Sequence, residues 1–176
     1  ITGSVMQESF IFSDTIAHNI ALDTDRLEMD RVHRAAIMAN ADGFVRKMPM
    51  GYYTRIGMEG SGVSQGQRQR ILIARAIYKN PEYIFFDEAT NALDTTNEAE
   101  IMHHLNTFYH GRTGVVAAHR LSTVKNADQI LVMRQGRIVE QGTHKELVAM
   151  NGYYYDLLKN QLENFNSTSP SMASRS

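Results

Sequence analysis

Two apolar runs in this chain end in side chains that can do chemistry. Residues 83–86 are followed directly by the acidic pair Asp87 and Glu88, and residues 115–118 are followed by His119. A carboxylate at the end of a strand suits Mg²⁺, which binds one or two carboxylates together with phosphate oxygens. A second carboxylate can accept a proton from an attacking water, and a neighbouring histidine can contact a phosphate. Taken singly, each feature is more often a cap, a turn or a structural residue.

A third feature is the start of a helix. Residues 64–67 match the S-x-x-Q capping box, and residues 71–78 are apolar on nearly all sides, which predicts a buried helix over 64–79. The free N–H groups and the positive dipole end of a helix N-terminus bind phosphate. Ordinary capping explains Ser64 and Gln67 but not Gly66, which costs about 1 kcal/mol of helix propensity relative to alanine. A ligand that approaches the backbone closely would justify that glycine.

The elements that must position these residues alternate between strands and helices. The alternation predicts an α/β fold with a largely parallel sheet, in which ligands gather beyond the carboxyl ends of the strands. Apolar spacing, capping boxes and turn residues predict helices over 27–39, from 95 through Phe108 and over 143–162, strands at 83–86 and 115–118, and a hairpin of 129–133 with 137–140. Residues 1–22 read as strand or loop, and residues 164–176 as a disordered tail.

The amino-acid composition argues against several classes of function. The 176 residues are 43% hydrophobic and 21% charged, which fits a globular domain with its own core. The formal net charge of -1 gives no electrostatic case for nucleic acid. There is no cysteine, and no apolar run approaches the roughly 20 residues that cross a bilayer. We therefore expect any link to a membrane to come through a partner or another part of the protein.

The motifs together resemble the nucleotide-hydrolysing domain of ABC transporters. Val63 to Arg70, with the run Ile73-Ala74-Arg75-Ala76, resembles the signature motif LSGGQ and its helix. Residues 84–94 resemble the Walker B strand and D-loop, 118–123 the H-loop, 140–144 the tail of exporter-type domains, and 6–13 the Q-loop. They follow the family's order. The resemblance implies a partial P-loop NTPase fold with a mainly parallel sheet and a small helical subdomain.

The resemblance also implies a role for each position. Gln7 would contact Mg²⁺ or the attacking water, and Asp87 would hold Mg²⁺ through water. Glu88 would be the general base, and His119 would contact the γ-phosphate of ATP. The remaining nucleotide-binding positions belong to the dimer interface. The signature residues Ser64, Gly66 and Gln67 would bind the ATP held by the opposite subunit, and Asp94 of the D-loop would link the two sites across the dimer.

Three departures from the family pattern concern the signature region. Val63 replaces a leucine and Gln65 a glycine, while the serine and second glycine of the motif are retained, so we expect function to survive. Met58 replaces the usual acid after the coupling loop at 54–57, which leaves coupling there in question. The glutamine, together with residues 78–82, resembles exporters of peptides or bacteriocins.

No G-x-x-x-x-G-K-[ST] phosphate loop occurs in the 176 residues. In the family that loop precedes the Q-loop, so we expect this chain to be a fragment of a longer protein; a degenerate subunit is the alternative. We predict four parts: 1–22 with the Q-loop, 23–79 as the helical subdomain ending in the signature helix, 80–162 with Walker B, D-loop and H-loop, and 163–176 as the tail.

The resemblance predicts the ATP- and Mg²⁺-dependent motor of an exporter at the cytoplasmic face of the plasma membrane. Its partners would be a transmembrane domain on the same polypeptide and a second nucleotide-binding domain in a head-to-tail dimer. A non-catalytic regulatory module is the alternative. An ABC-like ATPase of DNA repair would insert long coiled coils between Gln7 and Ser64, and no sustained heptads occur there. A metal enzyme built on His103, His104 and His110 lacks the H-E-x-x-H pattern.

Overall fold

The computed structural model describes residues 2–5, 10–22, 27–57, 62–87, 101, 103–105, 107–117 and 124–167. The chain forms two compact units, Ile1–Ala117 and Ala118–Ser176. In the described part of the chain no helix is long and apolar enough to cross a membrane.

The first unit alternates strands and helices, as the sequence predicts for an α/β fold. Three strands form a parallel sheet in which Tyr83–Asp87 lies between Thr2–Val5 and Thr113–Ala117, and the short strands Asp14–Thr15 and Arg55–Ile56 pair antiparallel in a separate sheet. The elements in chain order are β1 (Thr2–Val5), β2 (Asp14–Thr15), α1 (Ile16–Ala21), α2 (Met29–Met38), α3 (Asp42–Val45), a 3-10 turn (Gly51–Tyr53), β3 (Arg55–Ile56), α4 (Gln65–Tyr78), β4 (Tyr83–Asp87) and β5 (Thr113–Ala117).

Helix α4 is the buried helix that the capping box and the apolar run predict. It packs against α1 and α2. Its apolar second half is almost completely inaccessible to solvent, whereas its polar first turns are half-buried or exposed. The buried members are Ile71, Leu72, Ile73, Ala74, Ala76, Ile77 and Tyr78. Burial of this face supplies the hydrophobic driving force that holds the helical region together.

Two further helical predictions are confirmed. Helix α2 covers most of the predicted 27–39 segment and buries the residues at helical spacing, Val32, Ala35 and Ala36. The described residues of 101–108 are helical, with Ile101, Leu105 and Phe108 buried on one face. The capping box predicted at 95–98 lies outside the described residues.

Residues 1–22 contain a helix that the sequence analysis missed. Helix α1 begins after Thr15, whose side chain accepts a hydrogen bond from the His18 N–H at 3.2 Å. With only six residues, Ile16–Ala21, it is too short for helical periodicity to stand out. Five of the six residues are buried, so tertiary packing rather than intrinsic propensity stabilises it.

The second unit is built on the predicted hairpin. Strands β6 (Ile130–Arg134) and β7 (Arg137–Gly142) pair antiparallel through a turn at Gln135 and Gly136. Both turn residues have positive φ, 50° and 75°, as a type I′ hairpin turn requires.

The helical tail of the second unit differs from its prediction. Instead of one helix over 143–162, α5 (His144–Met150) and α6 (Tyr153–Ser167) are separated by Asn151, which has a left-handed backbone. The capping box of Thr143 with Glu146 is confirmed. Helix α6 runs beyond 162 to Ser167, so the disordered tail expected from 164 is wrong over its first residues; 168–176 lie outside the described residues.

The buried face of α4 carries a stability prediction. Ile73→Ala should lower the free energy of unfolding by about 2–5 kcal/mol, because Ile73 is completely buried and its loss leaves a cavity. Ile37→Ala is the matched control, since the same change on α2 removes a side chain that is 50% exposed. Urea unfolding of both variants checks this. Equal effects at the two positions would contradict the packing of α4.

Candidate functional site

The carboxyl ends of the parallel strands meet at one edge of the sheet. The last residue of β1, Val5, pairs with Phe86, and the last residues of β4 and β5, Asp87 and Ala117, pair with each other. Since the strands are parallel, the chain leaves all three in the same direction at this edge. An open α/β sheet binds its ligands at such an edge.

The described strands lead toward three of the predicted site residues. In the sequence, Gln7 lies two positions after Val5, Glu88 follows Asp87 directly, and His119 lies two positions after Ala117. These three residues and Asp94 lie outside the described residues, so their side-chain positions are not part of the structure.

Asp87 is the predicted metal ligand that the structure describes. It ends β4 on the same side of the strand as the exposed Tyr83 and Phe85, while Ile84 and Phe86 point into the core. Its carboxylate is therefore accessible at the sheet edge. In the described part of the chain no three His, Cys, Asp or Glu side chains are grouped to hold a metal ion. An exposed carboxylate at this position suits Mg²⁺, which proteins bind through one or two carboxylates together with water and phosphate oxygens.

The N-terminus of α4 has the predicted capping box in full. The Gln67 N–H donates to Ser64 Oγ at 3.2 Å, and the Ser64 N–H donates to Gln67 Oε1 at 2.9 Å. Ser64 Oγ thus acts as an acceptor toward its own helix, and a hydroxyl that accepts in this way can still donate its own proton to a ligand. Ser64 is exposed, and the N–H groups of Gln65 and Gly66 belong to the first turn, where a helix offers no internal partner. This end of the helix can bind an anion.

Gln67 has a second role that its predicted nucleotide contact did not include. Its amide oxygen is engaged by the Ser64 backbone, so only its –NH₂ group remains to reach a ligand. The capping contact also fixes the direction in which that group can point.

Asn19 and Arg75, to which the sequence motifs assign no role, form a partly buried polar cluster in the first unit. Asn19 is completely buried, and its Oδ1 accepts from the Phe12 N–H at 2.8 Å and from Arg75 Nη2 at 3.2 Å. Arg75 also donates to the carbonyl oxygens of Asn19 and Phe10, both at 2.7 Å. The only sequence signal was an arginine inside an otherwise apolar helical run.

Burial of the Arg75 guanidinium has an electrostatic consequence. Loss of hydration lowers the pKa of Arg75 to about 10. That value is far above neutral pH, so the side chain stays charged and all its hydrogen bonds are charge-assisted.

The histidines considered for a metal enzyme have other surroundings. His103 is exposed, and His104 Nδ1 lies 3.1 Å from the carbonyl oxygen of Met38 at the end of α2. His104 therefore joins two helices of the first unit, which is a structural contact.

Comparisons with known proteins agree with these motifs. A sequence model described as ABC transporter matches residues 2–91. The chain is 49% identical, over 89% of its length and 27% of the relative's, to an ATP-dependent lipid A-core flippase of Saccharophagus degradans. It is 48% identical to the toxin RTX-I translocation ATP-binding protein of Actinobacillus pleuropneumoniae, over 92% of this chain and 23% of that protein.

A comparison with solved structures also indicates the fold of an ABC exporter. A bacterial Atm1-family ABC exporter with ATP bound superposes with a TM-score of 0.87 at 41% identity, covering 92% of this chain and 28% of that one. The chain thus spans about a quarter of the length of these relatives.

The capping box leads to a prediction about the stability of a variant that lacks the Ser64 hydroxyl. Ser64→Ala should lower the free energy of unfolding by about 1 kcal/mol, because the Gln67 N–H loses its acceptor. Ser64→Asn should be nearly neutral, since asparagine caps helices as well as serine does. Urea unfolding of the two variants decides, and a loss of the same size in both would contradict the capping role.

Proposed function

Because this chain belongs to the ABC transporter family, we propose that it is part of the ATP-hydrolysing motor domain of a membrane exporter. The observation that carries the proposal is the N-terminus of α4. An exposed serine, whose Oγ accepts a hydrogen bond from its own helix and whose hydroxyl proton can donate to a ligand, stands beside first-turn N–H groups. This arrangement suits the terminal phosphate of a nucleotide.

The proposed ATP site is shared between two nucleotide-binding domains in a head-to-tail dimer. The chain contributes the signature side, on which Ser64 and Gly66 contact the γ-phosphate and Gln67 supplies its remaining amide donors. The phosphate-binding loop that holds the same ATP belongs to the opposite domain. Asp94 of the D-loop would link the two sites across the interface.

The sheet edge supplies the hydrolytic side of the mechanism. Glu88 would accept a proton from the attacking water, Asp87 would hold Mg²⁺ through water, and Gln7 would contact the metal or the water. His119 contacts the γ-phosphate. The metal, when bound, neutralises charge on the phosphate oxygens; positioning and charge stabilisation are the main demands of phosphoryl transfer.

The export function rests on the relatives together with the motifs. One relative bears the name of a lipid flippase and another that of a toxin translocator, so the proposal extends to export and not to one cargo. The peptide or bacteriocin cargo indicated by Gln65 stays a prediction. We place the motor at the cytoplasmic face of the plasma membrane, joined to a transmembrane domain.

Glu88→Gln should separate binding from hydrolysis in the exporter that contains this chain. Loss of the general base should lower turnover at least about 100-fold, whereas ATP binding persists because the phosphate and metal contacts remain. Steady-state ATPase assays and nucleotide-binding titrations measure the two effects. Near-normal turnover would show that Glu88 is not the base, and an inactive wild-type exporter would favour the non-catalytic alternative.

Ser64→Asp should distinguish the role of Ser64 as a helix cap from its role as a phosphate contact. Aspartate is an equally good N-cap, so the free energy of unfolding should change by less than about 0.5 kcal/mol. Its negative charge would face the γ-phosphate in place of a donor, and turnover should fall about 10²–10³-fold. Asn126→Asp, which adds the same charge at an exposed position of the second unit, is the control and should retain wild-type turnover. Full activity in Ser64→Asp would refute the phosphate contact.

A further inference from the structure

Arg75 lies where a charged residue is costly. It stands in the buried half of α4 between Ala74 and Ala76, both of which are inaccessible to solvent or nearly so. In the described part of the chain its hydrogen-bond acceptors are two backbone carbonyls and one side-chain amide oxygen. Neutral acceptors recover less of the lost hydration than a carboxylate would.

The contacts of Arg75 all lead to one part of the chain. Its Nη1 donates to the carbonyl of Phe10, 65 positions away in sequence, and its guanidinium lies 5.5 Å from the centre of the Phe12 ring. Its Nε and Nη2 donate to the backbone and side chain of Asn19. A planar guanidinium can satisfy three acceptors in fixed directions, which a lysine cannot do.

Asn19 extends this contact along the same segment. Its Nδ2 donates to the carbonyl oxygens of Phe12 and Thr15, both at 3.0 Å, while its Oδ1 accepts from the Phe12 N–H. Residues 10–13 take part in no strand. Their path is therefore held by Asn19 and Arg75 instead of by a sheet ladder.

The segment that Arg75 and Asn19 contact begins at Phe10, three positions after Gln7 in the sequence. Helix α4, which carries Arg75, begins directly after Ser64. One guanidinium thus connects the segment after Gln7 to the helix that presents Ser64. Of its three hydrogen bonds, one goes directly to the Phe10 carbonyl, and two go to Asn19, which in turn bonds to Phe12 and Thr15.

We propose that Arg75 is a positioning residue, which joins α4 to the Phe10–Thr15 segment, directly and through Asn19, and so fixes the orientation in which the helix presents Ser64 to the nucleotide. The inference rests on the proposed function. Arg75 contacts no reacting group itself, so its loss should disturb the geometry of the catalytic step and leave nucleotide affinity unchanged.

Arg75→Lys tests the tie in the purified exporter that contains this chain, reconstituted in lipid nanodiscs. Lysine keeps the positive charge but lacks the planar guanidinium that donates hydrogen bonds in fixed directions. Amide hydrogen exchange at Phe12 should accelerate about tenfold or more, with little change over residues 71–78, because the segment opens locally. Arg75→Met, which keeps the apolar bulk, should show the same local effect. Unchanged exchange at Phe12 in both variants would overturn the tie.

Kinetics of the same variants test the positioning role. The ATPase kcat of Arg75→Lys should fall about tenfold, because small misplacements at a distance lower the rate of a positioned reaction. Its KM for ATP should stay within about twofold. Arg31→Lys is the matched control and should keep both constants. Arg31 also binds α4, donating to the Tyr78 carbonyl at 2.9 Å and lying 4.5 Å from the Tyr78 ring, but it does not contact residues 10–15.

The outcomes separate this inference from the proposed function. An active wild-type exporter whose Arg75→Lys variant has normal kcat would overturn the positioning role. Equal losses of kcat in Arg75→Lys and Arg31→Lys would overturn it too, because they would indicate general support of α4. An inactive wild-type exporter would contradict the proposed function, and the exchange measurement at Phe12 would still decide whether Arg75 ties the segment to α4.

Discussion

The structure of the first unit depends on one helix that is buried at one end and open at the other. The second half of α4 is enclosed by α1 and α2, while its first turn, capped by Ser64, faces solvent. Burial fixes the axis of the helix, and the axis fixes where the N–H groups of the first turn point. An anion site made of backbone groups is only as precise as the packing that holds its helix.

The parallel sheet imposes a second constraint on the same site. Pairing of Asp87 with Ala117 and of Val5 with Phe86 brings three strand ends to one edge. Helix α4 is joined by polar contacts as well as by apolar packing to residues 10–19, which follow β1 in the sequence, since Arg75 donates to Phe10 and Asn19. Because those contacts are directional and partly shielded from solvent, they fix orientation where hydrophobic packing alone would permit sliding.

Much of this arrangement could be predicted from local sequence, and the failures have physical causes. Some features depend on only a few neighbouring residues, so the sequence predicts them. They are the capping boxes at Ser64 and Thr143 and the turn at Gln135-Gly136. Helix α1 was missed because six residues show no clear period. The helical tail was predicted as one helix, but it breaks at Asn151, because the Asn151-Gly152 dipeptide is a turn signal within an otherwise helical run. The role of Arg75 depends on acceptors 56 and 65 positions away, which only the fold brings together.

The most direct test of the account is the distance from Ser64 Oγ to the γ-phosphate in a high-resolution structure of the exporter with ATP bound and Glu88 replaced by glutamine. The account predicts a hydrogen bond of about 2.5–3.0 Å from the Ser64 hydroxyl to a γ-phosphate oxygen, with the Gln67 N–H still bound to the same Oγ. ATP bound at the dimer interface with Ser64 beyond hydrogen-bonding distance, or with the capping box broken, would contradict it.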